Sequence, residues 1–225
     1  MPRSAEQTEE LANAITHGLG CLLALTGWPA LAAASSDALP GAAGNPGLAS
    51  IGSLTFVITM LLMFLASAAY HAAPVGPVRL RLRRLDHAVI FIFIAGSCTA
   101  FALSPPQAWR AGADLPAAPG WTLAAVWLVA LAGTALKLAN RLRRPLMSTL
   151  IYLAFGWLAA AAAWPALGRL NATALSLVVV GGLAYSMGSA FYLLGHRMRW
   201  AHLVWHVFVL LGCACHFLAL MASAG

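Results

Sequence analysis

Seven long apolar runs constrain this chain more than any other feature. They lie at about His17–Ala34, Leu48–Tyr70, Leu85–Leu103, Trp121–Leu138, Leu146–Leu167, Ala172–Leu194 and Ala201–Met221. Each approaches the ~20 residues that a helix needs to cross a hydrocarbon layer of ~30 Å. With 61% of its 225 residues hydrophobic and only 8% charged, the chain carries more apolar surface than a soluble domain of this size can bury. A β-barrel needs short alternating segments, and none dominate. The expected fold is therefore all-α: a polytopic membrane protein of seven transmembrane helices, one domain over 1–225, with 1–16 as a short cytoplasmic N-terminal segment. The Pro-, Gly- and Arg-rich connections leave no room for a second domain.

The basic residues predict the orientation. An inside N-terminus puts Arg3, Arg79, Arg81, Arg83, Arg84, Lys137, Arg141, Arg143, Arg144, Arg197 and Arg199 on one side. Only Arg110 and Arg169 fall on the other, out of a total Lys+Arg of 13. That asymmetry places the N-terminus in the cytoplasm and the C-terminus outside. The net charge of +7 then reads as topology and as contact with anionic lipid head groups, not as nucleic-acid binding. The first run is expected to be retained rather than cleaved as a signal peptide. Its front carries Glu6, Glu9 and Glu10 against Arg3, so the positive leader is missing. Cys21, Cys98, Cys213 and Cys215 all fall within predicted helices and read as apolar thiols rather than a disulfide or metal site.

Polar residues inside a membrane are costly, and here several share one depth. His71 ends the second run, with Ser67 one turn deeper on the same face. Asp86 and His87 begin the third run, His202 and His206 begin the seventh, and His17 opens the first. The histidines at 202 and 206 stand four apart, which puts their Cβ atoms about 5–6 Å from each other on one helix face. With His71 from a facing helix they form a three-imidazole set of the kind that holds a catalytic zinc with one position left for water. Copper, iron or nickel would also suit imidazole; magnesium and calcium would not. Asp86 can orient a water or a ring beside such an ion, and Ser67 can donate to the same cluster. His17 and His87 read as interfacial or supporting residues, and His196 as solvated. His216 lies about 15 Å beyond His206 and cannot reach the same ion. It either lines a polar cavity or bonds a neighbouring helix.

The segments "EELANAITHGLG", "SAAYH", "LDHAVIFIFIAGSCT" and "HLVWHVFVLLG", in that order, resemble the hemolysin III family, the bacterial branch of the progestin and adipoQ receptor superfamily. The resemblance implies seven helices, an inside N-terminus in a bacterial inner membrane, and a zinc ion near the cytoplasmic face. By motif, the zinc ligands of the adiponectin receptors fall on His71, His202 and His206. The water-holding aspartate falls on Asp86 and the motif serine on Ser67. The family's third helix resembles a Tyr-Thr-Pro ending, where this chain has Cys98-Thr99-Ala100, a departure that bears on the helix's local shape.

Two functions follow as expectations. The first is a zinc-dependent hydrolase acting on a lipid amide or ester in the cytoplasmic leaflet. There Asp86 would orient or deprotonate water, Ser67 would assist it, and the helices would enclose a fatty-acyl chain. The related receptors and the similar alkaline ceramidases point the same way. The second is a non-enzymatic regulator of membrane lipids with a structural zinc, for which His17, His87 or Asp86 would supply a fourth ligand. Cytolysis is the least expected, because seven spanning segments leave no soluble state to export. A retinal protein would need a lysine buried among its helices, and the single lysine, Lys137, sits at the end of the fourth run.

Overall fold

The computed structural model describes residues 4–36, 46–104, 120–195 and 197–224. Among them are seven helices long and apolar enough to cross a membrane, and no strand. They are α1 (Ala5–Ser36), α2 (Pro46–Ala72), α3 (Pro77–Leu103), α4 (Gly120–Leu138), α5 (Pro145–Ala162), α6 (Ala172–Leu194) and α7 (Ala201–Ala224). Arg3, Arg110 and His196 fall outside the described residues.

Three boundaries differ from those drawn on apolarity, each for a local reason. α1 begins at Ala5 rather than His17, so most of 1–16 is helical. Ser4 and Gln7 cap it reciprocally: Gln7 N–H donates to Ser4 Oγ at 3.2 Å and Ser4 N–H to Gln7 Oε1 at 2.9 Å. α3 begins at Pro77, two turns before Leu85, because a proline in the first helical turn is pre-set for helix and the arginines that follow do not oppose it. Asp86 and His87 therefore sit well inside α3 rather than at its end. The fifth run breaks at Ala162. A single turn, Trp164–Leu167, follows it with Pro165 near its start, where no N–H is required. Through Cys98-Thr99-Ala100, α3 runs unbroken to Leu103.

α3 is the centre of the bundle. Its buried positions run from Asp86 to Phe101, and it packs against α2, α4, α5 and α7. α1 lies across α2 and α7, and α6 pairs along α7. Phe56, Phe64 and Phe91 fill the interior, with Phe91 meeting Tyr152 of α5 at 4.7 Å between ring centroids. The outer faces carry Leu22, Leu62, Leu131, Leu158, Val207 and Leu218 in exposed positions. Such a girdle suits hydrocarbon rather than water.

Without a hydrophobic drive between helices in lipid, close packing and polar ties hold the bundle. Tyr152 Oη donates to the His87 carbonyl at 2.9 Å, Trp127 Nε1 to Thr99 Oγ1 at 2.9 Å, and Asn171 Nδ2 to the Ala222 carbonyl at 2.8 Å. Each contributes on the order of 1 kcal/mol. α6 and α7 approach closely at Gly181, where an added Cβ would stand 3.1 Å from the Gly212 carbonyl oxygen.

Candidate metal centre

His71 lies in the last turn of α2, which Pro74 closes two residues later. His202 and His206 fall in the first two turns of α7. The start of α7 is set by Trp200, held at φ 66, whose N–H donates to Glu9 Oε1 of α1 at 3.2 Å. These elements bring one ligand atom each from His71, His202 and His206 within 4.8 Å of one another. The ring centroids stand 4.7 to 5.0 Å apart. Three buried or half-buried histidines so close together could hold a metal ion.

The donor set fits such an ion on two counts. His71 Nε2 and His202 Nε2 are 3.2 Å apart. Two nitrogens bound tetrahedrally at 2.0–2.1 Å lie about 3.3 Å apart, so this pair already spans one edge of the polyhedron. His206 is fully buried, and neither of its ring nitrogens has a hydrogen-bond partner among the described residues. A buried polar group left unpaired costs about 1–3 kcal/mol, a penalty that ligation would remove.

His17 is not the interfacial residue that its place in the sequence suggests. It lies three turns into α1, buried, with its ring stacked on His206 at 3.7 Å between centroids and 10° between planes. Imidazole lone pairs lie in the ring plane. The lone pairs of His17 and His206 therefore lie in two separate, near-parallel planes. The stack supports His206 from one side and leaves His17 no part as a fourth ligand. Both nitrogens of His17 are also without partners among the described residues.

Asp86 does not join the close set; it neighbours Ser67, which lies one turn before His71 on α2. It is 3% exposed, and its Oδ2 has no hydrogen-bond partner among the described residues. Ser67, equally buried on α2, has an unpartnered Oγ and neighbours Asp86. His87 is engaged elsewhere: its Nδ1–H donates to the Arg83 carbonyl at 2.6 Å, which leaves Nε2 to accept from Tyr192 Oη at 3.0 Å. Its 3.8 Å approach to Asp86 is too long for a hydrogen bond. His216 both bonds a neighbour and faces a cavity. Its Nε2–H donates to the Val178 carbonyl of α6 at 3.3 Å, and its ring packs on Phe101 and Tyr185. The four cysteines are free.

That cavity, of about 400 Å³, runs between α3, α5, α6 and α7. Asp86, His87 and Tyr192 line one end and Phe101 and His216 the other. Along α3, Asp86 to Phe101 is roughly 22 Å. Between the ends the walls are aliphatic and aromatic, including Ile90, Ile94 and Val178.

One site residue escaped the sequence reading. Glu10 Oε2 accepts from His71 Nδ1–H at 2.7 Å, and its other oxygen pairs with Arg79. A signal for it existed. Glu10, Asn13 and His17 fall at i, i+3 and i+7, a polar stripe on one face of α1.

A seven-helix membrane protein with a cluster of three histidines beside a long apolar cavity is thus the class defined by fold and site. The family described as Haemolysin-III related matches residues 5–217. The chain is 38% identical over 216 residues to the "Hemolysin-3 homolog" of Bacillus subtilis (strain 168), covering 95% of this chain and 93% of that one. It is 33% identical to "Hemolysin-3" of Bacillus cereus, covering 95% and 90%. It is 24% identical to the human "Monocyte to macrophage differentiation factor", covering 94% and 83%. The chain belongs to the hemolysin III family.

Proposed function

We propose that this protein is a zinc-dependent hydrolase of a lipid amide or ester, working in the cytoplasmic leaflet of a bacterial inner membrane. The observation that carries the reading is the position of the histidine cluster. Among the described residues three imidazoles converge one turn from Ser67, and its neighbour Asp86, whose Oδ2 has no hydrogen-bond partner there, lines one end of an apolar cavity. A closed structural site would need a fourth protein ligand, and the stacked His17 is not placed to be one.

His71, His202 and His206 would hold the ion. Bound there, zinc would supply Lewis acidity and bring the pKa of a coordinated water to near 7. The residues of the chain do the rest. Asp86, buried and with Oδ2 free to accept, takes the proton of the attacking water or fixes its direction, and Ser67 beside it is placed to donate to the carboxylate. Ile90, Ile94 and Val178 line a slot for the fatty-acyl chain, keep water from it and set its carbonyl at the Asp86 end. Water then adds to that carbonyl, the bond from its carbon to the amide nitrogen or ester oxygen breaks, and the amine or alcohol leaves with the proton that Asp86 returns to it. The concentration of arginines near the same end supports a cytoplasmic placement and contact with anionic head groups.

The test uses the full chain purified in detergent. Metal content is measured, and then hydrolysis of lipid amides and esters by the wild type and by Asp86→Asn. The expected outcome is about one zinc per chain in both, with turnover falling at least 100-fold in the variant. Bound zinc with no turnover of any lipid would instead favour a regulator with a structural ion.

A further inference from the structure

We infer that Glu10 is the positioning residue of the metal centre, the carboxylate that aims His71 at the ion. The inference rests on the histidine cluster holding a metal, and it concerns a residue outside that cluster. An imidazole binds a metal through one nitrogen only, so something must decide which one is bare. At His71 the decision is visible. Nδ1–H donates to Glu10 Oε2 at 2.7 Å, which leaves the Nε2 lone pair free on the side facing His202 Nε2. A carboxylate on the far nitrogen also raises the donor strength of the near one.

The carboxylate is itself held. Its second oxygen pairs with Arg79 of α3, and the Arg79 guanidinium lies 5.2 Å over the Tyr70 ring, next to His71 in the chain. Glu10 thus receives a proton donor from α2 and a guanidinium from α3 while standing on α1. Both oxygens are engaged, so the side chain has little freedom to swing away. No other ring in the cluster has such support. His206 has no partner for either nitrogen among the described residues, and the polar contact of His202 is with His71 itself. Among the described residues, His71 is thus the ring of the set that a carboxylate hydrogen bond orients, while His206 is supported by the His17 stack.

The experiment measures zinc affinity by competition with a chelator of known affinity, on full-length protein in detergent. Cobalt(II) substitution adds a spectrum sensitive to the ligand field. Glu10→Gln keeps size and shape but offers the ring a weaker acceptor, and zinc affinity is expected to fall about 10–100-fold, as for other carboxylates that support metal-bound histidines. The cobalt absorption should shift in position as well as amplitude. Arg79→Met removes one of the two holds on the carboxylate and leaves the ring's acceptor in place, so its affinity should fall by clearly less than that of Glu10→Gln. Glu10→Asp, which keeps the charge but withdraws the oxygen by one methylene, should fall between the two. It decides the matter if Glu10→Gln does not stay monodisperse.

Wild-type affinity in both Glu10 variants would overturn the inference, as would an equal loss in Arg79→Met, which would reduce Glu10 to a docking contact. A wild-type protein that binds no zinc would instead sink the metal reading itself. The two failures are distinguished by which protein shows them.

Discussion

At the scale of single residues, the informative quantity is how each buried nitrogen or oxygen is satisfied. His87 and His216 each have a carbonyl to donate to, so each is explained as a helix-to-backbone tie. Among the described residues neither nitrogen of His206 has a hydrogen-bond partner, and His17 lies flat against it. The stack makes a sharp prediction. His17→Phe preserves a ring of similar size and removes both nitrogens, so metal content by elemental analysis should remain near one per chain. His206→Ala, which deletes a ligand, should bring it well below one. A loss of metal in His17→Phe equal to that in His206→Ala would make His17 a ligand and reopen the closed-site reading. The histidines at 71, 202 and 206 were legible in the sequence because spacing and depth alone select them. Glu10 was not, because its acid was read as a flank of the first run. Only a helix that starts at Ala5 turns it toward α2.

At the scale of elements, apolarity locates helices well and ends them badly. The missed starts of α1 and α3 lie in polar residues, where capping and proline geometry decide. The turn between α4 and α5 shows the same chemistry. Asn140 sits at φ 58; its N–H donates to the Lys137 carbonyl at 3.0 Å, and the Arg141 N–H to the Leu136 carbonyl at 2.9 Å. This is a Schellman ending, in which the left-handed residue is asparagine instead of glycine. Lys137 Nζ then crosses the turn to Leu142 O at 3.0 Å and Ser148 Oγ at 2.9 Å, so the lone lysine is a clasp between two helices. Asn140→Val should destabilise the protein by roughly 1–2 kcal/mol, because a β-branched side chain opposes the left-handed conformation. Asn140→Gly should be neutral or better. Thermal unfolding in detergent, comparing the two variants with wild type, checks the sign of each change.

At the scale of the whole molecule, the question is why a bundle this small leaves a cavity beside its most polar layer. Helices α3, α5, α6 and α7 could have closed on it with larger side chains, yet α5 presents Gly156 there. A Cβ added at Gly156 would meet nothing within 4 Å. That differs from Gly181, where an added Cβ would run into the His216 ring and press on the Gly212 carbonyl oxygen. Glycine at 156 is therefore not demanded by packing, and its effect is to keep the slot open. The sequence reading expects the helices to enclose an acyl chain, but not which of them do so or that Gly156 faces the space. Apolar runs report which residues avoid water, but the space left between helices depends on how four of them meet. The consequence can be tested without knowing the substrate. Gly156→Phe should insert a ring into the slot, leave zinc content and monodispersity unchanged, and hold or raise the melting temperature, since dispersion contacts are gained. It should abolish retention of any co-purified fatty-acyl lipid, read by mass spectrometry of the extracted protein, and with it the lipid turnover proposed for the wild type. If acyl lipid is retained equally by both proteins, the slot is not where the chain lies. The apolar wall that the proposed reaction relies on would then have to be sought on the outer face of the bundle.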